Sequence, residues 1–203
     1  MRFQTRYIWI FVPILALLLT VCGDSDDGDM PGADMGDSSS TAASTMSETP
    51  DASVDPDLAF LDGMIPHHEG AVMMAEVALE RAEHQELKDL ADEIIRAQEA
   101  EIEQMRGWRS EWFDDAPQTE GMPGMSGVGM MSDADIEMMR TTDSFDQMFI
   151  DRMIEHHQSA IEMAQEIQTT TERPEIQQLA ENIISSQQAE IEQMEQWRSE
   201  WFG

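Results

Sequence analysis

The sequence predicts an all-α fold, a four-helix bundle assembled from two related helical hairpins. Three observations carry this expectation. Apolar residues recur in steps of three and four along both halves of the chain, the spacing of helices with one buried face. Residues 60–113 reappear as residues 149–202 at a constant offset with roughly half of the aligned positions identical, so the chain contains a tandem duplicate of itself. No useful length of sequence alternates apolar and polar residues as a strand would. Two independent two-helix domains would leave too much apolar face in water, so both hairpins are expected to share one core.

At the N-terminus, Arg2 and Arg6 precede an apolar run over residues 7–19. The run is too short to span a bilayer comfortably and has the layout of a secretory signal. Leu19-Thr20-Val21-Cys22 resembles a bacterial lipoprotein cleavage box, departing from it at Val21, where a small residue is usual. The expected division is a signal peptide over 1–21 and a lipid on Cys22. Cys22 is the sole cysteine, which excludes an intramolecular disulfide. Such an anchor would hold the protein to a membrane on its extracytoplasmic side, and without lipidation the chain would be secreted. Residues 22–54 are mostly Asp, Ser, Gly, Thr and Ala, a tether that buries too little apolar surface to offset its ordering entropy.

The 42 acidic and 11 basic residues give a formal charge of −31, and loss of Arg2 and Arg6 with the signal leaves 42 against 9, or −33. A chain of this charge repels nucleic acid and anionic membrane surfaces and attracts cations. The simplest use of the surface acidity is solubility outside the cell.

The first hairpin is expected over 55–113. Asp55-Pro56 is a helix start, an acidic N-cap followed by proline where its missing N–H is harmless. One seam runs through Leu58, Leu61, Ile65, His68, Val72 and Ala75, and an adjacent one through Phe60, Met64, His67, Ala71 and Met74. Pro66 removes a hydrogen bond to the carbonyl of Asp62 and predicts a kink. A turn follows near 83–86, and the second helix carries Leu87, Ala91, Ile94, Gln98, Glu101, Met105, Trp108 and Trp112 along its seam. The Trp-Arg-Ser-Glu-Trp-Phe run at 108–113, repeated at 197–202, reads as an aromatic plug at the end of the bundle. Residues 114–131 form a Gly/Pro/Met linker. In the second hairpin, 132–203, Ser132 with Asp135 starts a short helix, Asp143 with Asp146 starts the long third helix, and Pro174 starts the fourth.

Four of the five histidines lie in two adjacent pairs, His67-His68 and His156-His157, and both pairs fall on inward faces with Met64 and Met153 one turn earlier. The fifth, His84, aligns with Arg173, so the repeat gives it no shared chemical role. In an antiparallel hairpin turning near residue 84, the first pair faces Glu101 and Met105, and the second faces Glu190 and Met194. Buried polar groups must be hydrogen-bonded or ligated. Imidazole suits copper, zinc, iron and nickel, whereas thioether sulfur favours Cu(I), so this donor set points to copper. Met64, His67, His68, Met153, His156 and His157 are the leading candidate ligands. Met105 and Met194 are second choices, and Glu101 and Glu190 are either ligands or acceptors for imidazole N–H groups. Any single seam methionine is ordinarily core filler, and Gln98 and Gln187 are expected to orient the histidines. Met30, Met35, Met46, Met122, Met125, Met130 and Met131 lie in linkers, where methionine has no packing reason; they suit weak Cu(I) sites or sacrificial oxidation.

The stretches Met64–Ala75 and Met153–Ala164, with Ile94-Ile95, Gln98, Glu101-Ile102, Met105 and Trp108 downstream, resemble the signature of domain-of-unknown-function family 305, here in two tandem copies. The resemblance covers nearly everything except the signal and the linkers. It implies a ferritin-like four-helix bundle, export, and, for members with an assigned role, copper binding and tolerance through His and Met. No Glu-x-x-His occurs, which disfavours a di-iron type oxidase. The expectation is a non-enzymatic, cell-surface copper-binding protein that sequesters or hands over Cu(I). A scaffold with a purely hydrogen-bonded polar core is the competing reading, and a His/Glu metal oxidase the third.

Overall fold

The computed structural model describes residues 54–122 and 130–203. The expected signal peptide, Cys22 with its lipid, the tether up to residue 53, and Met30, Met35, Met46 and Met125 lie outside the described residues. All regular structure among the described residues is helical: α1 Pro56–Arg81, α2 Gln85–Phe113, α3 Asp133–Thr141, α4 Phe145–Gln168 and α5 Pro174–Phe202. The starts of α1 and α4 differ by 145 − 56 = 89, and those of α2 and α5 by 174 − 85 = 89, so the helices follow the repeat in register. None of these helices is long and apolar enough to cross a membrane.

The helix starts obey local chemistry. The Asp55 carboxylate accepts from the backbone N–H groups of Asp57 and Leu58, with Pro56 in the first turn. Ser132 and Asp135 form a reciprocal capping box at α3. α4 departs from expectation: its N-cap is Ser144, which makes no side-chain cap bond, and Asp146 is drawn elsewhere. α1 continues through Pro66 without a break, as α4 does through Glu155.

α1 packs on α2 and α4 on α5, the hairpins meet where α1 lies on α4, and α3 rests on both. The core has two apolar clusters, each drawn from both hairpins. One joins Met74, Val77 and Leu87 to Phe149, Met153 and Met194. The other joins Phe60, Met64 and Met105 to Met163, Ile176 and Leu179. Along α1 and along α4, the paired histidines fall between the residues that feed one cluster and those that feed the other. The bundle therefore has a polar level flanked by apolar ones.

Each hairpin turn grips the ends of the other hairpin. At the N-cap of α2, His84 stacks on Trp201 with ring centroids 3.8 Å apart. Its Nδ1 lies 2.6 Å from Asp146 Oδ2, and that carboxylate also accepts from the backbone N–H groups of Glu83 and His84. At the N-cap of α5, Arg173 sits 4.2 Å from the Trp112 ring centroid and 3.1 Å from Asp57 Oδ2. Asp57 and Trp112 align with Asp146 and Trp201. His84 and Arg173 thus share a structural role that comparison of residue types does not reveal, because stacking and pairing with a carboxylate suit imidazole and guanidinium alike. The aromatic runs do close the bundle ends: Trp108 stacks on Trp112 at 5.3 Å and Trp197 on Trp201 at 5.2 Å.

After α2 the chain folds back over α1. Buried Asp62 accepts from Arg109 Nε at 3.1 Å and from the Thr119 backbone N–H at 2.8 Å. Gly121, at φ +84°, then passes so close to α1 that a Cβ there would lie 3.1 Å from the Gly63 Cα. This delivers Met122 into the core at 4% exposure. The expectation that linker methionines lack a packing role therefore fails for Met122, and Met131 is half-buried against the other cluster.

Asp146→Ala removes the acceptor for two backbone N–H groups and an imidazole, and is expected to destabilise the fold by about 3 kcal/mol. Arg140→Ala, which breaks only the exposed pair with Glu80, is expected to change stability by less than about 0.5 kcal/mol. Urea unfolding midpoints check the contrast.

Candidate metal centre

Consecutive residues on a helix do not share a direction, and the two histidines of each pair serve different interfaces. His68 turns to the partner helix of its own hairpin, where its Nε2 lies 2.8 Å from Glu101 Oε2. His157 does the same with Glu190 at 2.6 Å. His67 and His156 turn instead to each other across the α1/α4 crossing, with ring centroids 3.8 Å apart. Within each pair the centroids are 6.3 Å and 6.2 Å apart. Four imidazoles therefore run across the bundle from Glu101 through His68, His67, His156 and His157 to Glu190. The two pairs converge rather than forming distant centres.

The hydrogen bonds assign the ring protons. Glu101 and Glu190 act as carboxylate acceptors, so His68 and His157 donate from Nε2. His156 Nε2 lies 2.9 Å from the backbone carbonyl of His67 and must also donate. The Ser159 hydroxyl gives its proton to the carbonyl of His156 at 2.7 Å and accepts from His67 Nε2 at 2.7 Å. Each central histidine thus reaches the carbonyl of the other, one directly and one through Ser159. With Nε2 protonated in every ring, the neutral imidazole carries its lone pair on Nδ1. All four Nδ1 atoms are buried and have no hydrogen-bond partner.

Unpartnered buried acceptors are costly, and four at one level demand a reason. Imidazole that donates one nitrogen to a carboxylate or carbonyl and leaves the other free is the arrangement of a metal-ligating histidine. The central pair is also held neutral. Burial, reinforced by the nearby His68 and His157, pushes His67 down to about 3. Burial, with the neighbouring histidines, keeps His156 well below the usual histidine value.

The other predicted residues divide as follows. Met64 and Met105 share one apolar cluster and Met153 and Met194 the other, all fully buried, so thioethers flank the histidine level on both sides. Glu101 and Glu190, each about 20% exposed at the side chain, receive imidazole N–H groups. Gln98 and Gln187 are buried, but their Oε1 atoms have no partner, so they do not orient the rings as acceptors. Among the described residues no three His, Cys, Asp or Glu side chains gather into a preformed cluster. His68 and His157 face the glutamates that turn arithmetic placed opposite them, whereas adjacency sends His67 and His156 to the interface between hairpins. Sequence reasoning missed Ser159, which aligns with Gly70 and is distinguished only by being a buried hydroxyl at a position that is glycine in the other half.

The DUF305 family profile, "Domain of unknown function (DUF305)", matches residues 57–198, a continuous span that includes both hairpins. Among solved structures, CopM in the Cu(I)-bound form is 45% identical over 74% of this chain and 100% of that one, with a TM-score of 0.64. CopM is similar also in Cu(II)-bound and Ag-bound forms, at 46% identity. A DUF305 fragment from Deinococcus radiodurans is 29% identical, covering 70% of this chain and 94% of its own, with a TM-score of 0.61. A DUF305 protein from Streptomyces coelicolor, described as secreted, is 27% identical, covering 72% and 93%, with a TM-score of 0.64. Comparison with curated proteins returned no match.

A histidine whose folded value is depressed stabilises the fold above its unfolded value near 6.5, and that contribution falls away as the pH drops toward the folded value. For His67 that window runs from 6.5 to about 3. Metal-free protein is therefore expected to lose stability from pH 6.5 downward, by about 1.4 kcal/mol per pH unit for each histidine once fully titrating. Urea midpoints between pH 7 and 5, above most carboxylate titration, measure the effect; a flat profile there contradicts it.

Proposed function

This chain belongs to the DUF305 family, and on that premise we propose that it is an extracytoplasmic copper-binding protein that sequesters or hands over Cu(I). One observation carries the reading: four buried imidazoles whose Nδ1 atoms lack partners, between two apolar levels that hold Met64, Met105, Met153 and Met194. Borderline nitrogen donors with soft thioether sulfur and no thiolate favour Cu(I) over zinc or iron. CopM, similar over nearly three quarters of this chain, has been solved with Cu(I), Cu(II) and Ag. His67, His68, His156 and His157 are the proposed ligands with nearby thioethers, and Glu101 and Glu190 act through the imidazole N–H groups they accept. Met64 and Met153 are the leading thioethers, Met105 and Met194 the second choices.

The proposal includes the lipid anchor on Cys22, the signal at 1–21, and an origin of the two hairpins as tandem copies, supported by the repeat in the sequence. Copper is cargo here, and no bond-making chemistry is assigned to the protein. The absence of Glu-x-x-His supports that choice over an oxidase. The competing scaffold reading draws on the four satisfied Nε2 atoms, but leaves the four Nδ1 atoms without an account.

Anaerobic competition for Cu(I) against a chromogenic chelator separates the two. Wild-type protein is expected to withdraw Cu(I), and the variant with all four paired histidines changed to alanine to lose about 100-fold or more in affinity. Unchanged stoichiometry and affinity in that variant would sink the proposed site, and circular dichroism checks that the variant remains helical.

A further inference from the structure

A surface cleft reaches the central histidines of the buried level from the α4 side. A cleft of about 280 Å³ is lined at its base by His156 and Ser159, and otherwise by Glu155, Arg152, Asp135, Met130 and Met131. Ser159 is the hydroxyl that accepts from His67 Nε2, so the base of the cleft touches both central rings through one bond or less. Met130 is 53% exposed and Met131 half-buried. The aligned positions of the other half cannot build the same cleft: Ser159 corresponds to Gly70, Glu155 to Pro66 and Arg152 to Gly63, and Gly63 is where the chain at Gly121 crosses α1 in close contact.

We propose that this cleft is the loading port of the copper site, with the Met130 and Met131 thioethers as capture ligands for a soft monovalent cation, Cu(I), that passes on to His156. The inference rests on the copper reading above and adds to it the route and the residues that control uptake. An exposed methionine gains nothing from packing, but a neutral thioether is a soft ligand suited to Cu(I). The transfer is ligand exchange: sulfur–copper bonds break as a nitrogen–copper bond forms, and the oxidation state does not change. The rim suits a cation. Asp135 and Glu155 carry two negative charges against the single charge of Arg152, which lies 3.4 Å from Glu155. Asp135 Oδ2 accepts from Ser132, which holds the carboxylate in place at the rim.

The test uses full-length protein with Met130→Leu and Met131→Leu together, which keeps size and apolarity while removing both sulfurs. Cu(I) is presented as its complex with a chromogenic chelator under anaerobic conditions, and the loss of colour is followed by stopped flow. The double variant is expected to load about tenfold more slowly than wild type, reaching the same final stoichiometry and affinity. Equal rates overturn the port, as does a lower plateau at an unchanged rate, which would make the two methionines a separate storage site. Wild-type protein that takes up no Cu(I) at all overturns the copper reading and the port with it, and is thereby distinguished from failure of the port alone.

Discussion

The crossing of α1 and α4 is held by two hydrogen bonds, one from each central histidine. His156 donates to the carbonyl of His67, and His67 reaches the carbonyl of His156 through the Ser159 hydroxyl. These groups are buried, so a slip of one helix along the other by a single residue would strand donors in an apolar interior. Apolar contacts alone tolerate such shifts because Met, Ile and Ala can repack. The polar level therefore sets the register of one hairpin against the other. The clusters on either side take their composition from that register, each joining the turn end of one hairpin to the open end of the other.

The bundle ends obey the same two-fold logic with different chemistry. Trp201 and Asp146 receive His84; Trp112 and Asp57 receive Arg173. A flat cationic or polar group stacked on indole and paired with a carboxylate meets the geometric need in both places, so two different residue types make the equivalent contact. Symmetry fails where the chain between the hairpins runs across α1. Gly63 makes room for Gly121, and Met122 enters the core beside Phe60 and Met64. The aligned α4 surface carries Arg152, Glu155 and Ser159 instead and remains open. A centre built from two nearly equal halves thereby acquires an accessible cleft on the α4 side, where the α1 side is crossed by the chain.

Much of this was legible because helical periodicity is a local property. The seams through Phe60, Met64 and His67 and through Phe149, Met153 and His156 identified buried faces correctly, and turn arithmetic placed Glu101 and Glu190 opposite the histidines. Other features escaped this reading for physical reasons that spacing does not carry. Linker position suggested that Met122 was exposed, yet a chain leaving a helix can fold back onto the core when a glycine allows close approach. Alignment gave His84 no shared chemical role, and the structural role it shares with Arg173 is invisible to a comparison of residue types. Asp146 looked like a first-turn partner of Asp143, but its carboxylate found better donors on the turn of the other hairpin.

By itself the sequence determined the helices, the inward faces, the doubling of the hairpin and the burial of four histidines with methionines a turn away. Each follows from patterns within one helix or from the repeat. Only the tertiary structure decided which histidine of each pair stays within its hairpin and which crosses to the other, that Nε2 is the occupied nitrogen throughout, and that Ser159 completes the exchange at the crossing. Those outcomes depend on how two helices approach each other. That approach arises from the balance of packing and hydrogen-bond satisfaction over the whole core, which no stretch of sequence expresses alone.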